Sequence, residues 1–285
     1  CGGYNGKTTR LADTWEYDID NDWWTQRADM PGTVRNAATG FPVGNKGYIT
    51  TGYNPDQKYL ADTWEYDPET NTWRQMDDFK GGARYYALGF GIDNYGYVGT
   101  GYNDNYLKDF YRFDPTAAAG SQWTIVNGFG GQKRQGATAF VIDGKAYVCG
   151  GQNNNSDVSD FWRFDPSAAT PWTQLRDIAN TSDDDYDDDY TSIVRSYGVS
   201  FVIDGKAYLT LGSTAGGSYY SNYWIYDPET DLWEGDDLTA FEGSTRIHAV
   251  CFSTGTLGII ATGGSGSSSY FDDTWELKPY EYEEE

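Results

Sequence analysis

One short aromatic motif recurs six times along the chain and constrains the fold more than any other feature. The central aromatic residues of the six copies lie at positions 15, 64, 111, 162, 224 and 275, so most steps are close to 50 residues. A period of this length is typical of propeller and solenoid proteins, in which each repeat is one supersecondary unit. The copies are Asp-Thr-Trp-Glu-Tyr-Asp at 13–18 and again at 62–67, Asp-Phe-Tyr-Arg-Phe-Asp at 109–114, Asp-Phe-Trp-Arg-Phe-Asp at 160–165, Asn-Tyr-Trp-Ile-Tyr-Asp at 222–227 and Asp-Thr-Trp-Glu-Leu-Lys at 273–278.

An alternating segment precedes each copy after the first and predicts a β-hairpin. In one of them Thr138, Phe140 and Ile142 fall on one face of a strand, and Asp143-Gly144 supplies a two-residue turn. Asp204-Gly205 is equivalent, and Asn45-Lys46-Gly47 is a near equivalent. A turn and a tryptophan follow each of the first five copies, at Trp24, Trp73, Trp123, Trp172 and Trp233. Each repeat therefore predicts four short strands, which we call a, b, c and d.

These residues together resemble the kelch family. Its repeat has an arginine at the start of strand a, glycines at the end of strand b, an aromatic-x-aromatic-Asp motif on strand c and a tryptophan on strand d. Two departures are visible: the second glycine is missing at Thr51-Gly52 and at Leu211-Gly212, and the last copy has no strand-d tryptophan. The resemblance implies an all-β fold, a six-bladed kelch β-propeller with four-stranded antiparallel blades and a first blade incomplete at the N-terminus.

Elementary physics favours the same architecture. A sheet of four such short strands is marginal alone, so each must bury its faces against neighbouring sheets, and closing a ring removes the exposed ends. The 11 Trp, 25 Tyr and 13 Phe residues would serve mainly as packing between sheets.

The repeat runs from end to end and predicts one propeller over residues 1–285. Its boundaries place a partial blade 1 at 1–30, blade 2 at 31–80, blade 3 at 81–130, blade 4 at 131–178, blade 5 at 179–243 and blade 6 at 244–285. Strand d of blade 6 is either residues 280–283 or a segment upstream of Cys1. Cys1 itself has two interpretations: the acylated cysteine of a bacterial lipoprotein, or the equivalent of Cys149 at the end of strand b, in a chain that starts within a blade.

The net charge of −23 and the isoelectric point near 4.2 disfavour nucleic acid and anionic membrane surfaces as partners. No hydrophobic run approaches a membrane span. Low lysine with abundant Asn, Asp, Gly, Ser and Tyr resembles bacterial envelope kelch proteins, which implies the periplasm or the outer-membrane surface, with a lipid anchor upstream as one option. Three cysteines indicate little about the redox compartment.

The longest step between motifs contains an acidic run that begins at Asp183 and ends at Asp189. One interpretation is a solvated acidic loop. The other is a calcium site, because hard cations take clustered carboxylate oxygens. The run lacks the glycine-punctuated spacing of an EF-hand loop, so the signal is compositional only.

Function is expected on the face that carries the b–c and d–a loops, because these vary in length while the other turns are uniform. At the same mouth the resemblance places one arginine per strand a, which suggests a ring that binds carboxylates; the alternative is that each arginine ties blades together. Tyrosines beside them suit stacking on sugar rings. The predicted ligand-binding residues are Arg35, Arg84, Arg134, Arg195, Arg246, Tyr85, Tyr86, Tyr197 and His248.

Catalysis has little support in the sequence. His248 is the only histidine, which excludes a mechanism that needs two imidazoles, and no nucleophile elbow, phosphate loop or zinc-spaced motif is found. We therefore expect a non-enzymatic binding propeller of a bacterial envelope that recognises a protein or glycan. The alternatives are a sugar-modifying enzyme such as a sialic-acid-type mutarotase, and a structural subunit of an envelope complex.

Overall fold

The computed structural model describes residues 1–6, 8–235 and 239–279, and these are almost entirely β-structure. They form two compact units, Cys1–Phe129 and Gly130–Glu285. The strand predicted at residues 280–283 lies outside the described part of the chain. Across the described ranges, no helix has the length and the apolar character that crossing a membrane requires.

The N-terminal unit contains fourteen strands among its described residues. β5, β6, β9 and β10 form one four-stranded antiparallel sheet, and β11 to β14 form a second. β3 pairs with β4, β1 with β2 and β7 with β8 in two-stranded sheets. The strands are β1 Gly3–Tyr4, β2 Arg10–Leu11, β3 Thr14–Asp18, β4 Trp23–Arg27, β5 Thr39–Val43, β6 Lys46–Thr50, β7 Tyr53–Asn54, β8 Lys58–Tyr59, β9 Thr63–Asp67, β10 Thr72–Gln75, β11 Leu88–Ile92, β12 Tyr95–Gly99, β13 Phe110–Phe113 and β14 Trp123–Val126.

The C-terminal unit repeats this arrangement. Two four-stranded antiparallel sheets have the orders β15-β16-β19-β20 and β21-β22-β23-β24, and a three-stranded sheet has the order β25-β26-β29. A short 3₁₀ helix, Asp185–Asp187, lies in the acidic run. The strands are β15 Thr138–Ile142, β16 Lys145–Cys149, β17 Gln152–Asn153, β18 Ser156–Asp157, β19 Trp162–Phe164, β20 Trp172–Gln174, β21 Val199–Ile203, β22 Lys206–Thr210, β23 Trp224–Asp227, β24 Leu232–Glu234, β25 Val250–Ser253, β26 Gly258–Ala261, β27 Gly264–Ser265, β28 Ser269–Tyr270 and β29 Thr274–Leu277.

The predicted count of six blades is not confirmed. Within the described ranges, five sheets have three or four strands and form the blades, whereas the first repeat contributes only the two-stranded β1–β2 and β3–β4 sheets. The prediction counted six c strands but only five a–b hairpins, and it already expected a first blade that lacks strand a and most of strand b.

The predicted hairpins are confirmed at strands a and b. Thr138, Phe140 and Ile142 are buried while the residues between them are half-buried, which is the period-two pattern of a strand with one face in the core. Asp143 and Gly144 both have positive φ, at 49° and 69°, as the tight turn requires. The predicted turn at Asn45-Lys46-Gly47 was one register off, because the loop is Gly44-Asn45 and Gly47 lies inside β6.

Aromatic side chains fill the space between adjacent sheets of one unit. In the N-terminal unit Phe41 and Tyr48 of one sheet pack against Phe113 and Trp123 of the next, with ring centroids 5.2 to 6.3 Å apart. Each such side chain contributes about 1.5 to 3 kcal/mol on burial. The core is therefore built where sheets face one another, as the repeat predicts.

Trp15 departs from this pattern. Its side chain is 47% exposed, although equivalent residues such as Trp224 are buried. Trp15 lies in the β3–β4 sheet, which has only two strands and therefore offers less surface for packing around the indole than a four-stranded sheet does.

Candidate functional site

Each strand a is preceded by an arginine that is held inside its own blade. Arg84 donates from its Nη1 atom to the carbonyl oxygen of Thr100, at the end of strand b, at 2.8 Å. The same guanidinium makes a bidentate ion pair with Asp109, the first residue of the motif on strand c, at 2.6 and 2.9 Å. One side chain thus joins the starts or ends of three strands of a blade.

The other four arginines repeat this geometry, with Asp62 for Arg35, Asp160 for Arg134, Asp273 for Arg246 and Asn222 for Arg195. All five side chains are 0 to 1% exposed. This burial favours the alternative in which the arginines serve the fold, and the ring of carboxylate-binding arginines stays a prediction. The guanidinium groups are buried and their donors are occupied, because folding a charge into the interior requires a partner there.

The backbone of the same arginines joins neighbouring repeats. The carbonyl oxygen of Arg84 accepts a hydrogen bond from Gly52 N at 2.8 Å, and that of Arg195 accepts one from Gly151 N at 2.8 Å. Gly151 has φ +87° and an added Cβ would lie 2.7 Å from the carbonyl oxygen of Gln135, so this position requires glycine.

Two residues after each arginine the chain adopts a left-handed conformation. The residues there are Ala37, Tyr86, Gly136, Tyr197 and His248, with φ between 51° and 64°. A non-glycine residue in this region costs roughly 1 to 2 kcal/mol. One of the five residues is glycine, which adopts this conformation without strain. The backbone therefore does not require the bulky side chains of Tyr86, Tyr197 and His248. Strained residues of this kind cluster at functional sites, which points to a function here.

Tyr86 belongs to a group of six half-buried residues in the N-terminal unit that we call the tyrosine cluster: Tyr53, Tyr59, Tyr85, Tyr86, Tyr102 and Tyr106. Tyr85 lies at its centre. Its ring stacks on that of Tyr59 at 5.6 Å and 9°, and contacts those of Tyr53, Tyr86 and Tyr102 at 4.7 to 5.7 Å. Tyr106 extends the cluster through Tyr102 at 5.0 Å.

The cluster draws its rings from separate segments of the chain. Tyr53 pairs with Tyr59 across the β7–β8 hairpin, and Tyr102 bridges to Tyr106 in the equivalent b–c loop. A further bridge joins Tyr85 to Tyr102. Aromatic faces are thus held by backbone hydrogen bonds, which makes the surface pre-organised for a ligand.

Charged groups border the cluster on one side. Lys58 Nζ donates to both oxygens of Asp104 at 3.0 and 3.1 Å, and Tyr59 Oη donates to Asp104 Oδ1 at 2.8 Å. Desolvation raises the pKa of Tyr59 and Tyr85 and raises the pKa of Tyr86 to about 12. The phenol groups therefore remain protonated at neutral pH.

Tyr197 and His248 form a second, smaller group in the C-terminal unit. Their rings meet edge to face at 4.6 Å. Tyr197 Oη accepts hydrogen bonds from the side-chain amides of Gln135 and Gln152 at 2.8 and 2.7 Å. His248 is exposed yet closely surrounded by protein, and desolvation lowers its pKa to about 4, so the imidazole is neutral at pH 7.

The acidic run is ordered by its own residues. Asp187 is fully buried and accepts hydrogen bonds from the backbone N–H groups of Thr181 and Ser182 at 2.9 Å. Burial alone would raise the pKa of Asp187, but these hydrogen bonds lower it. Tyr190 anchors the run by accepting a hydrogen bond from Trp233 N at 2.7 Å. Among the described residues no three His, Cys, Asp or Glu side chains converge on a metal position, and the calcium hypothesis for 183–189 stays a prediction.

Sequence reasoning found Tyr85 and Tyr86 but missed the other four members of the tyrosine cluster. The available signal was a tyrosine at both ends of two successive b–c loops, at Tyr53 and Tyr59 and at Tyr102 and Tyr106. In the C-terminal unit the positions equivalent to Tyr53 are Gln152, Ser213 and Gly264, so the repeat itself does not require tyrosine there.

A kelch-motif family model matches residues 42–80 and 133–175. No curated protein sequence matches the chain. Among 313 matching chains of solved structures is the structure of YjhT, at 15% sequence identity and a TM-score of 0.77, over 98% of this chain and 94% of that one. At this identity the likeness concerns the fold, which is an all-β propeller with four-stranded antiparallel blades.

Proposed function

Since the chain is a kelch-repeat β-propeller protein, we propose that it is a non-enzymatic binding propeller of a bacterial envelope that recognises a protein or glycan through its b–c and d–a loops. The tyrosine cluster is the observation that carries this proposal. Six rings are concentrated in one unit, and the positions of Tyr53, Tyr85 and Tyr102 are filled in the C-terminal unit by residues other than tyrosine.

The chemistry of the cluster favours a glycan. Tyrosine rings offer flat apolar faces to the C–H groups of a sugar and hydroxyl groups to its polar edge. Tyr85 and Tyr59 are nearly parallel, and Lys58 and Asp104 supply polar groups beside them. Because these rings are fixed by backbone pairing, little conformational entropy is lost when a ligand binds.

The test is a glycan array followed by titration calorimetry of the hits. Tyr59→Ala combined with Tyr85→Ala removes the stacked pair, and two aromatic contacts at about 0.5 to 1.5 kcal/mol each predict roughly tenfold weaker binding or more. The matched control is Tyr270→Ala, which removes an exposed tyrosine from a b–c loop of the C-terminal unit.

We expect the double variant to lose glycan affinity while circular dichroism shows that it remains folded, and the control to bind normally. Absence of any glycan hit, or equal loss of affinity in the control, would contradict the proposal.

A further inference from the structure

Arg10 lies beside the tyrosine cluster and is not paired in the way the five buried arginines are. Its guanidinium carbon lies 4.4 Å from the ring centroid of Tyr4 and 5.5 Å from that of Tyr53. Its Nε atom donates to Asn36 Oδ1 at 3.0 Å. The side chain is half-buried, so one ring stack and one hydrogen bond fix its orientation.

The terminal nitrogens of Arg10 make no hydrogen bond to any described residue, and no described carboxylate lies within 4.0 Å of them. This is unexpected in a chain with 43 acidic residues and 20 Lys and Arg residues. Asp104, the carboxylate that borders the cluster, is paired with Lys58 instead. Arg10 therefore leaves a fixed, planar pair of donors at the edge of the cluster.

The repeat does not require an arginine at this position. Arg10 pairs with Tyr4 across β1–β2 as Tyr59 pairs with Tyr53 across β7–β8. The equivalent residues in other b–c loops are Tyr106, Asp157, Tyr219 and Tyr270. Only the loop that adjoins the tyrosine cluster has a cation at this position. Burial raises the pKa of Tyr86, and the positive charge of Arg10 opposes this increase.

We propose that the ligand of the tyrosine cluster carries an anionic group beside its stacked ring, and that the terminal nitrogens of Arg10 bind this group. The planar fork of a guanidinium matches a carboxylate or a sulfate oxygen pair, which a lysine does not. The ligand class is an acidic oligosaccharide that bears uronic acids or sulfate esters. This inference rests on the proposed function, since it assigns the ligand of the same surface.

The experiment measures binding of three hexasaccharide probes by calorimetry: a galacturonic acid oligomer, the neutral galactose oligomer and a sulfated galactose oligomer. The wild type is expected to bind at least one acidic probe about tenfold to a hundredfold more tightly than the neutral one, the range expected for a charge-assisted hydrogen-bonded pair. The two acidic probes show whether carboxylate or sulfate is the preferred anion.

Arg10→Ala should abolish this preference without weakening the neutral probe, and Arg10→Lys should restore only part of it. Arg112→Ala is the matched control, because Arg112 is another arginine of the same unit stacked on a tyrosine, 4.5 Å from the Tyr95 ring. It removes the same charge and should leave the preference intact. Circular dichroism and melting temperature confirm that each variant is folded.

Two failures are distinguishable. Equal affinity of the wild type for acidic and neutral probes, with dependence on Tyr59 and Tyr85 retained, would overturn the role of Arg10 and leave the glycan proposal standing. Equal loss of preference in Arg112→Ala would also overturn it. No binding of any probe together with no glycan hit on the array would overturn both proposals.

Discussion

At the scale of single residues, the buried arginines hold each blade together and should dominate its stability. Arg35→Met leaves the partly buried Asp62 without its ion pair, and loss of one member of a buried pair costs about 3 to 5 kcal/mol. Arg27→Met is the control, since Arg27 pairs with Glu16 at the surface, where a pair contributes about 0 to 1 kcal/mol. Urea unfolding followed by tryptophan fluorescence measures both. Equal costs for the two variants would contradict the structural role.

The ion pair between Arg35 and Asp62 also predicts that the free energy of unfolding depends on pH. Burial would raise the pKa of Asp62, but hydrogen bonds from Arg35 and Trp64 lower it below its ordinary value. The stabilisation is therefore present above the unfolded pKa, about 3.9, and is lost as the pH falls through the lower folded value. We expect Asp62→Asn to be less stable than the wild type at pH 7 and to approach it below about pH 4. A difference that stays constant down to pH 2 would show that the charge of Asp62 contributes nothing.

Single-residue roles were only partly predictable. The sequence located all five arginines, and it left open whether they bind a ligand or serve the fold. Their partners, such as Asp62 and Asp109, lie 25 to 27 residues downstream and open the aromatic motif. Pairing depends on how strands a, b and c align, and a residue pattern alone does not report the direction of a side chain.

At the scale of one blade, the sheet β21-β22-β23-β24 differs from the others because Asn222 replaces the aspartate. Arg195 there is surrounded by carbonyl oxygens, and desolvation lowers its pKa to about 10. Asn222→Asp should restore the ion pair and raise the stability at pH 7 by about 1 kcal/mol, a typical net value for a hydrogen-bonded pair. The gain should shrink as the pH falls below about 4 and disappear once the pH is below the lowered pKa of the paired carboxylate.

The measurement is urea unfolding of the wild type and Asn222→Asp at pH 7 and pH 3. Ser221→Asp, one residue earlier, is the control for adding a negative charge without the pairing position. A loss of stability in Asn222→Asp at pH 7 would show that the hydrogen bond from Asn222 to Ser192 Oγ, at 2.7 Å, matters more than the charge.

Structural elements were predicted well where a few adjacent residues determine them, and poorly where contacts between distant segments of the chain do. The Asp143-Gly144 and Asp204-Gly205 turns could be read directly, since the turn type demands those residues. The tyrosine cluster could not, because Tyr59, Tyr85 and Tyr102 come together only through the bridges that join a b–c loop to the start of a strand a. Arg10 was missed for the same reason, and because a short pair such as β1–β2 has no distinct sequence signal.

At the scale of the whole molecule, the net charge of −23 destabilises the folded state through repulsion among the acidic residues. Screening lengths fall from about 30 Å at 10 mM salt to about 8 Å at 150 mM, so added salt weakens repulsion between distant carboxylates. It affects the buried arginine pairs much less. We therefore expect the melting temperature to rise by a few degrees between 10 and 150 mM NaCl, with EDTA present so that divalent cations do not contribute.

The acidic run allows this expectation to be tested against a matched variant. Asp183, Asp185 and Asp188 are exposed, so changing all three to Asn removes three charges and leaves the buried Asp187 in place. The variant should melt higher than the wild type at 10 mM NaCl, and the difference should narrow at 150 mM. A melting temperature that falls as salt is added would mean that surface ion pairs such as Lys58–Asp104 outweigh the net repulsion, and that the excess of acidic residues is already balanced locally.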